Sequence, residues 1–123
     1  MKVLLADDSD SLRAVVRLAL ATEGPQAEVR ESANGDDALA AARSWRPDAV
    51  IVDLTMPGLS GPELVADLRR ELPDSLIVVF SCGAYATEAP PSRAAGADAY
   101  LEKVDGPLPV VRALRDGLPV HAA

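Results

Sequence analysis

The sequence predicts an α/β fold: a parallel sheet covered by helices on both faces. Three observations carry that reading. Strand-like and helix-like patterns alternate along the chain without a linker, a low-complexity stretch or an internal repeat. The runs at 3–6, 49–52, 76–80 and 99–101 are apolar throughout, as expected of strands buried on both faces. Each run also leads to a polar residue: to Asp7 and Asp8, to Asp53, to Ser81, and shortly before Lys103. In an open parallel sheet the carboxyl ends of the strands share one edge, so these residues converge in one crevice.

Taken in order, the first strand is the run at 3–6. Leu12, Val15, Val16, Ala19 and Leu20 then recur at helical spacing, and Gly24 followed by Pro25 stops that helix. A second strand is expected at 27–32. Gly35 opens a helix with Ala38, Leu39, Ala42 and Trp45 on one face, ended by Pro47. The third strand, 49–52, follows at once. Ser60 with Glu63 reads as a capping box, Pro62 is tolerated in the first turn, and Leu64, Val65, Leu68 and Leu72 form the stripe of the third helix before Pro73.

After the fourth strand at 76–80, the segment between Gly83 and Gly96 breaks the pattern. Pro90 and Pro91 would sit inside a helix, each at a cost of roughly 3 kcal/mol or more. A loop is expected there, the fourth helix being short or disrupted and starting no earlier than about Pro91. After the fifth strand at 99–101, the stripe of Val110, Val111, Leu114 and Leu118 marks the last helix. One domain over 1–118 is expected, with a polar tail at 119–123 that holds His121.

A chain of 123 residues can bury roughly two thirds of its unfolded surface without a disulfide or structural metal. Hydrophobic residues make up 49% of it but aromatics only 3%, so the core is expected to be aliphatic. The net charge of −7 argues against direct binding to nucleic acid or an anionic membrane and in favour of protein partners. Cys82 is the sole cysteine, which leaves no intramolecular disulfide or thiolate cluster and fits a reducing cytoplasm. The apolar run after Lys2 meets two aspartates at once, far short of a signal-peptide core, and no segment has the length of a membrane span.

Asp7, Asp8 and Asp53 in one crevice repel one another, and a divalent cation resolves that repulsion. An all-oxygen acidic site with few protein ligands suits Mg²⁺, which keeps several waters and leaves positions for phosphoryl oxygens. One carboxylate can then attack phosphorus and form an acyl phosphate, while Lys103 and the Ser81 hydroxyl hold the remaining phosphoryl oxygens. Positioning and charge stabilisation supply most of the catalysis in such a transfer. Composition singles out Lys103, because the chain uses ten arginines but only two lysines. The acidic stretch at 7–11 also suits the N-terminus of the first helix, a role compatible with metal binding.

The chain resembles the receiver domain of two-component response regulators over essentially its whole length. The residues that carry the resemblance are the Asp7 and Asp8 pair, Asp53 followed by Met56, Pro57 and Gly58, Ser81, and the run from Gly96 to Lys103. It implies a flavodoxin-like (βα)5 three-layer sandwich with strand order 2-1-3-4-5. It further implies that Asp53 takes a phosphoryl group from a phosphohistidine on a sensor histidine kinase or histidine phosphotransfer protein. Asp8, Asp53 and the Thr55 carbonyl would ligate Mg²⁺, and Asp7 would act mainly through water. Lys103 would contact the phosphoryl group. Ser81 would be the switch hydroxyl and Tyr100 the switch aromatic, whose ring turns inward and reshapes the face built from the fourth helix, fifth strand and fifth helix. Such a chain catalyses only its own phosphorylation and dephosphorylation, and its downstream target is a protein.

Two departures from the family pattern stand out. The family usually has a proline after the lysine, joined by a cis bond, where this chain has Val104. A cis bond before a non-proline residue costs about 2.5–4 kcal/mol, so either the bond is trans and Lys103 is held differently, or the loop carries strain. The other departure is the Pro90 and Pro91 pair, on the face by which family members usually signal. The chain also ends at Ala123 without an output domain, as a single-domain regulator or an excised receiver would.

Other functions compete for the same residues. A degenerate receiver would bind a partner without being phosphorylated. A small Mg²⁺-dependent aspartyl phosphatase would need an acid two residues after its nucleophile, where Thr55 stands. A flavodoxin-like electron carrier would have hydroxyls and glycine after the first strand, where Asp7, Asp8 and Asp10 stand. Cys82 and Trp45 are read as packing residues. Thr55 and Gly83 are expected to flank the path of a hydrolytic water without orienting it.

Overall fold

The chain runs β1 (Lys2–Ala6), α1 (Asp10–Glu23), β2 (Glu28–Ser32), α2 (Gly35–Trp45), β3 (Ala49–Val52), α3 (Gly61–Glu71), β4 (Leu76–Ser81), α4 (Tyr85–Ala95), β5 (Ala99–Glu102) and α5 (Leu108–Asp116). A 3₁₀ turn, Lys103–Asp105, links β5 to α5. The computed structural model describes residues 1–117, so Leu118, the stretch 119–123 and His121 lie outside the described residues.

All strand pairs are parallel and the order is β2-β1-β3-β4-β5, the flavodoxin-like arrangement. Alternate strand residues serve opposite faces. Val3, Leu5, Ile51, Val78 and Phe80 meet Val16 and Leu20 of α1 and Val110, Val111 and Leu114 of α5. Leu4, Val50, Val52, Ile77 and Val79 meet Ala38 and Leu39 of α2, Leu64, Val65 and Leu68 of α3, and Ala89 of α4. Each fully buried Val, Leu or Ile contributes about 1.5–3 kcal/mol, so aliphatic burial on both faces holds the central strands.

Helix starts differ from the expected ones in detail. Ser9 caps α1 by accepting the Leu12 N–H at 3.2 Å. Asn34, which the hydropathy pattern does not single out, caps α2 by accepting the Asp37 N–H at 2.8 Å. Ser60 occupies the N-cap position of α3 and Pro62 lies in its first turn, but the Ser60 side chain makes no capping bond. The expected capping box is therefore not formed.

Helix α4 is the main correction: it is continuous from Tyr85 to Ala95, with Pro90 and Pro91 inside it. The two missing amides would have met the carbonyls of Ala86 and Thr87, one turn back. Ala86, Thr87, Pro90 and Pro91 are all exposed, so water can satisfy those carbonyls. The buried side of the helix supplies the stabilisation. Ala89 and Ser92 are fully buried, Ser92 Oγ donates to the Glu88 carbonyl at 2.8 Å, and the Gly96 N–H caps the end on the carbonyls of Arg93 and Ser92.

Close packing fixes both ends of α2. A Cβ on Gly35 would lie 1.6 Å from the Leu59 carbonyl oxygen, so glycine there lets the loop after β3 pack directly on the start of the helix. Trp45 is buried at the far end, with its carbonyl 2.9 Å from Lys2 Nζ and its ring 4.5 Å from the Arg30 guanidinium. It packs beside the first residue of β1, at the amino edge of the sheet. Among the described residues no helix is long and apolar enough to cross a membrane.

Candidate functional site

Parallel register builds the site. Ala6 pairs with Val52, so Asp7 and Asp53 leave neighbouring strands side by side. Ser81 pairs with Glu102, which brings Lys103 to the same edge. The strand ends are tied together by the Asp7 N–H to the Ser32 carbonyl at 3.0 Å and the Asp53 N–H to the Ala6 carbonyl at 2.9 Å.

Asp7, Asp8 and Asp53 place one carboxylate oxygen each within 4.8 Å of one another, with Asp7 and Asp53 buried and Asp8 exposed. Lys103 Nζ bridges the buried pair, 2.8 Å from Asp7 Oδ2 and 3.2 Å from Asp53 Oδ2. The other oxygen of Asp53 accepts Ser81 Oγ at 3.1 Å and the Thr55 N–H at 3.2 Å. Burial pushes the Lys103 ammonium down, but the Asp7 hydrogen bond and the charges of Asp53 and Asp7 outweigh it, so its pKa lies above the usual lysine value. Three carboxylates against one ammonium leave two negative charges at an exposed mouth. An all-oxygen set with that imbalance fits a divalent cation.

No cis peptide bond occurs among the described residues, so the Lys103–Val104 bond is trans. Lys103 still reaches both buried aspartates from the 3₁₀ turn that follows β5. Val104 itself is 86% exposed.

Tyr100 is buried, and its hydroxyl donates to the Gly83 carbonyl at 2.6 Å. The ring already points inward, and Ser81 already bonds to Asp53, in this unmodified chain. Burial, then the nearby Glu88 charge, raises the Tyr100 phenol above its usual pKa. Tyr85 of α4 meets Tyr100 edge to face at 6.0 Å. Cys82, expected to pack, is exposed instead, because β4 ends at Ser81 and the chain turns outward.

The residues singled out at the strand ends, Asp7, Asp8, Asp53, Ser81 and Lys103, are thus brought together, and Thr55 follows Asp53 closely. Arg13 is a member of the site that the sequence does not announce. It donates to the main-chain carbonyl of Asp7 and to the Asp10 carboxylate, and its Nε lies 2.7 Å from Glu31 Oε1. The local signal is the Asp10 and Arg13 pair at helical i,i+3 spacing, which by itself says only that a helix surface carries two charges.

Sheet order and crevice together define a doubly wound α/β protein with an acidic site at the point where the strand order reverses, between β1 and β3. A family model described as the response regulator receiver domain matches residues 3–114, and the chain belongs to that family. The response regulator GacA of Pseudomonas aeruginosa is 38% identical over 119 residues, covering 94% of this chain and 54% of that protein. The nitrate/nitrite response regulator protein NarL of Escherichia coli is 34% identical over 112 residues, covering 91% of this chain and 52% of that protein. The chain thus spans about half the length of these curated relatives. Among solved structures, a response regulator protein from Burkholderia pseudomallei with a phosphorylated aspartic acid, calcium ion and citrate matches with a TM-score of 0.81. It is 30% identical, and the match covers 92% of this chain and 65% of that one.

Proposed function

We propose that this chain accepts a phosphoryl group from a phosphohistidine onto Asp53 in a Mg²⁺-dependent reaction, and so switches a protein-binding surface. The observation that supports this best is the partnering of Asp53: Lys103 on one carboxylate oxygen, Ser81 and the Thr55 N–H on the other. A carboxylate held in that way is oriented before the donor arrives, which is where most of the rate in phosphoryl transfer originates.

Asp8, Asp53 and the Thr55 carbonyl would hold Mg²⁺, with Asp7 acting mainly through water. When bound, the ion neutralises the carboxylates and the incoming phosphoryl oxygens. A carboxylate oxygen of Asp53 attacks phosphorus, the P–N bond to the donor imidazole breaks, and an acyl phosphate remains on Asp53. Lys103 moves its charge from the Asp53 oxygen to a phosphoryl oxygen, and the Ser81 hydroxyl donates to another. Tyr100 then keeps its ring inward beneath α4, fixing the face that the target protein reads.

The donor would be a sensor histidine kinase or histidine phosphotransfer protein, in keeping with the family. The receiver is taken to span 1–118, and with a net charge of −7 it is not expected to touch nucleic acid or a membrane itself. The test is intact mass after incubation with acetyl phosphate and Mg²⁺. One added phosphoryl group is expected in the wild type, and none in Asp53→Ala or after metal removal. No adduct in a wild type shown to bind Mg²⁺ would leave a module that binds its partner without phosphorylation.

A further inference from the structure

Asp7 has all its polar atoms engaged. Its N–H donates to the Ser32 carbonyl at 3.0 Å, Oδ1 accepts the Ser9 N–H at 2.9 Å, and Oδ2 accepts Lys103 Nζ at 2.8 Å. Its main-chain carbonyl accepts from Arg13 Nη1. Asp8, next along the chain, is exposed, so its place beside Asp53 is inherited from the backbone on either side of it.

Arg13 is held as firmly as it holds. Its side chain is only 11% exposed, its Nε donates to Glu31 Oε1 at 2.7 Å, and its Nη2 donates to the Asp10 carboxylate. The other oxygen of Glu31 accepts Arg17 Nη2 at 2.7 Å, so the β2 carboxylate that anchors the guanidinium is itself fixed. A planar guanidinium can serve the Asp7 carbonyl, Glu31 and Asp10 at once, and a lysine ammonium on the same stem has no fork with which to do so.

We propose that Arg13 is a positioning residue for the phosphorylation reaction: by clamping the Asp7 carbonyl it fixes the turn that presents Asp7 and Asp8 to Asp53 and to the metal. The proposal rests on the reading of Asp53 as a Mg²⁺-dependent phosphoryl acceptor. Charge alone points the other way, because a cation beside three carboxylates weakens their attraction for a metal ion. Removing a mere charge would therefore tighten Mg²⁺ binding, whereas removing a clamp loosens it.

The sign is measurable by calorimetric titration of the full chain with Mg²⁺ alone, comparing wild type, Arg13→Ala, Arg13→Lys, and Arg43→Ala as a remote control. Arg43 pairs with Glu71 on the surface and touches none of these groups. The Kd for Mg²⁺ is expected to rise about tenfold in Arg13→Ala, the size of effect typical when an outer-shell partner of a metal site is lost. Arg13→Lys is expected to restore only part of the affinity, and Arg43→Ala to match the wild type. In acetyl phosphate labelling, the Mg²⁺ concentration for half-maximal rate should rise in parallel, with a much smaller loss at saturating Mg²⁺. An equal or lower Kd in Arg13→Ala, or full recovery in Arg13→Lys, overturns the proposal. If Arg13→Ala does not fold, Arg13→Lys decides: a wild-type Kd there overturns it. A wild type that binds no Mg²⁺ defeats the Asp53 reading, and this proposal with it.

Discussion

Asp53 sits where a strand ends, between an ammonium on one oxygen and a hydroxyl on the other, and substitutions at those partners have separable outcomes. Lys103→Ala removes the cation shared by Asp7 and Asp53. It is expected to slow labelling by acetyl phosphate about a hundredfold, the usual loss for one transition-state donor, while Mg²⁺ binding persists or tightens. Labelling at the wild-type rate would remove Lys103 from the reaction. The lifetime of the proposed acyl phosphate is expected to depend on Thr55 and Gly83. A Cβ at Gly83 would fall 2.5 Å from Glu88 Cγ, whereas Thr55 is exposed next to Asp53, so Thr55→Asn is the cleaner variant. An amide there is expected to orient water and shorten the lifetime several-fold, read as loss of the mass adduct with time. A wild type that decays as fast as Thr55→Asn would show that this position does not limit hydrolysis.

The pH dependence of stability also originates in single residues. Lys103 and Tyr100 both have folded-state pKa values above their ordinary ones, 10.5 and 10.0. A raised folded value means that the stability it confers is complete below the unfolded value and is lost as pH rises through the folded one. The melting temperature is therefore expected to fall as the pH rises past about 10. Tyr100→Phe should flatten part of that fall, because the phenol that donates to Gly83 is gone. An unchanged alkaline profile in both Tyr100→Phe and Lys103→Ala would count against these assignments.

The same scale shows how far the residues of the site are legible in the sequence. Asp7, Asp8, Asp53, Ser81 and Lys103 are legible because each lies at or just past the end of an apolar run, and parallel register does the rest. Arg13 is not, because its meaning depends on Glu31, 18 residues away on β2. Cys82 departs from its expected packing role because hydrophobic character says nothing about which way a chain turns one residue past a strand.

At the scale of elements, α4 is where sequence reasoning and structure part. The cost of two interior prolines is real, but it is set against the buried side of the helix, Ala89 and Ser92, and the solvent that meets the freed carbonyls. Helix propensity is a weak prior against tertiary packing. The cost remains in the folded state, so Pro90→Ala is expected to stabilise the chain by about 2 kcal/mol. That figure is roughly 3 for the recovered helix interior less up to about 1 for the freer unfolded chain. Urea denaturation measures it, and a lower midpoint would mean that the proline ring makes contacts worth more than the missing bond. By contrast, Gly35→Ala drives a methyl into the Leu59 carbonyl. It should destabilise by about 1–3 kcal/mol and disturb labelling too, since the displaced loop begins at Asp53. The capping box at Ser60 fails for an ordinary reason: matching residue types at the right spacing do not oblige the side chains to meet.

At the scale of the molecule, the five-stranded sheet gathers its candidate site at the carboxyl edge, while the polar contacts of the amino edge, such as Arg69 with Asp98 and Lys2 with the Trp45 carbonyl, tie helices and loops to the strands. The near-continuous apolar runs make this architecture readable, since little else buries a strand on both sides. Carboxylates crowded at one edge hold repulsion that Lys103 relieves only in part, and a ligand that binds only the folded state stabilises it by mass action. At a hundred times its Kd, Mg²⁺ is expected to add about 2.7 kcal/mol to unfolding stability in the wild type. Asp8→Asn should be more stable than the wild type without the ion and gain little from it. A Mg²⁺-independent wild type would contradict the acidic site as a metal centre.

Trp45 turns that experiment into a simple optical one. It is the sole tryptophan, and it sits between Lys2 and Arg30 at the sheet edge remote from the aspartates. Its emission should ignore occupancy of the crevice and change only when the whole domain comes apart. The protein therefore carries its own bystander chromophore: a denaturation curve recorded at Trp45 weighs any ligand, phosphoryl donor or partner at the opposite edge, without a dye or label near the chemistry.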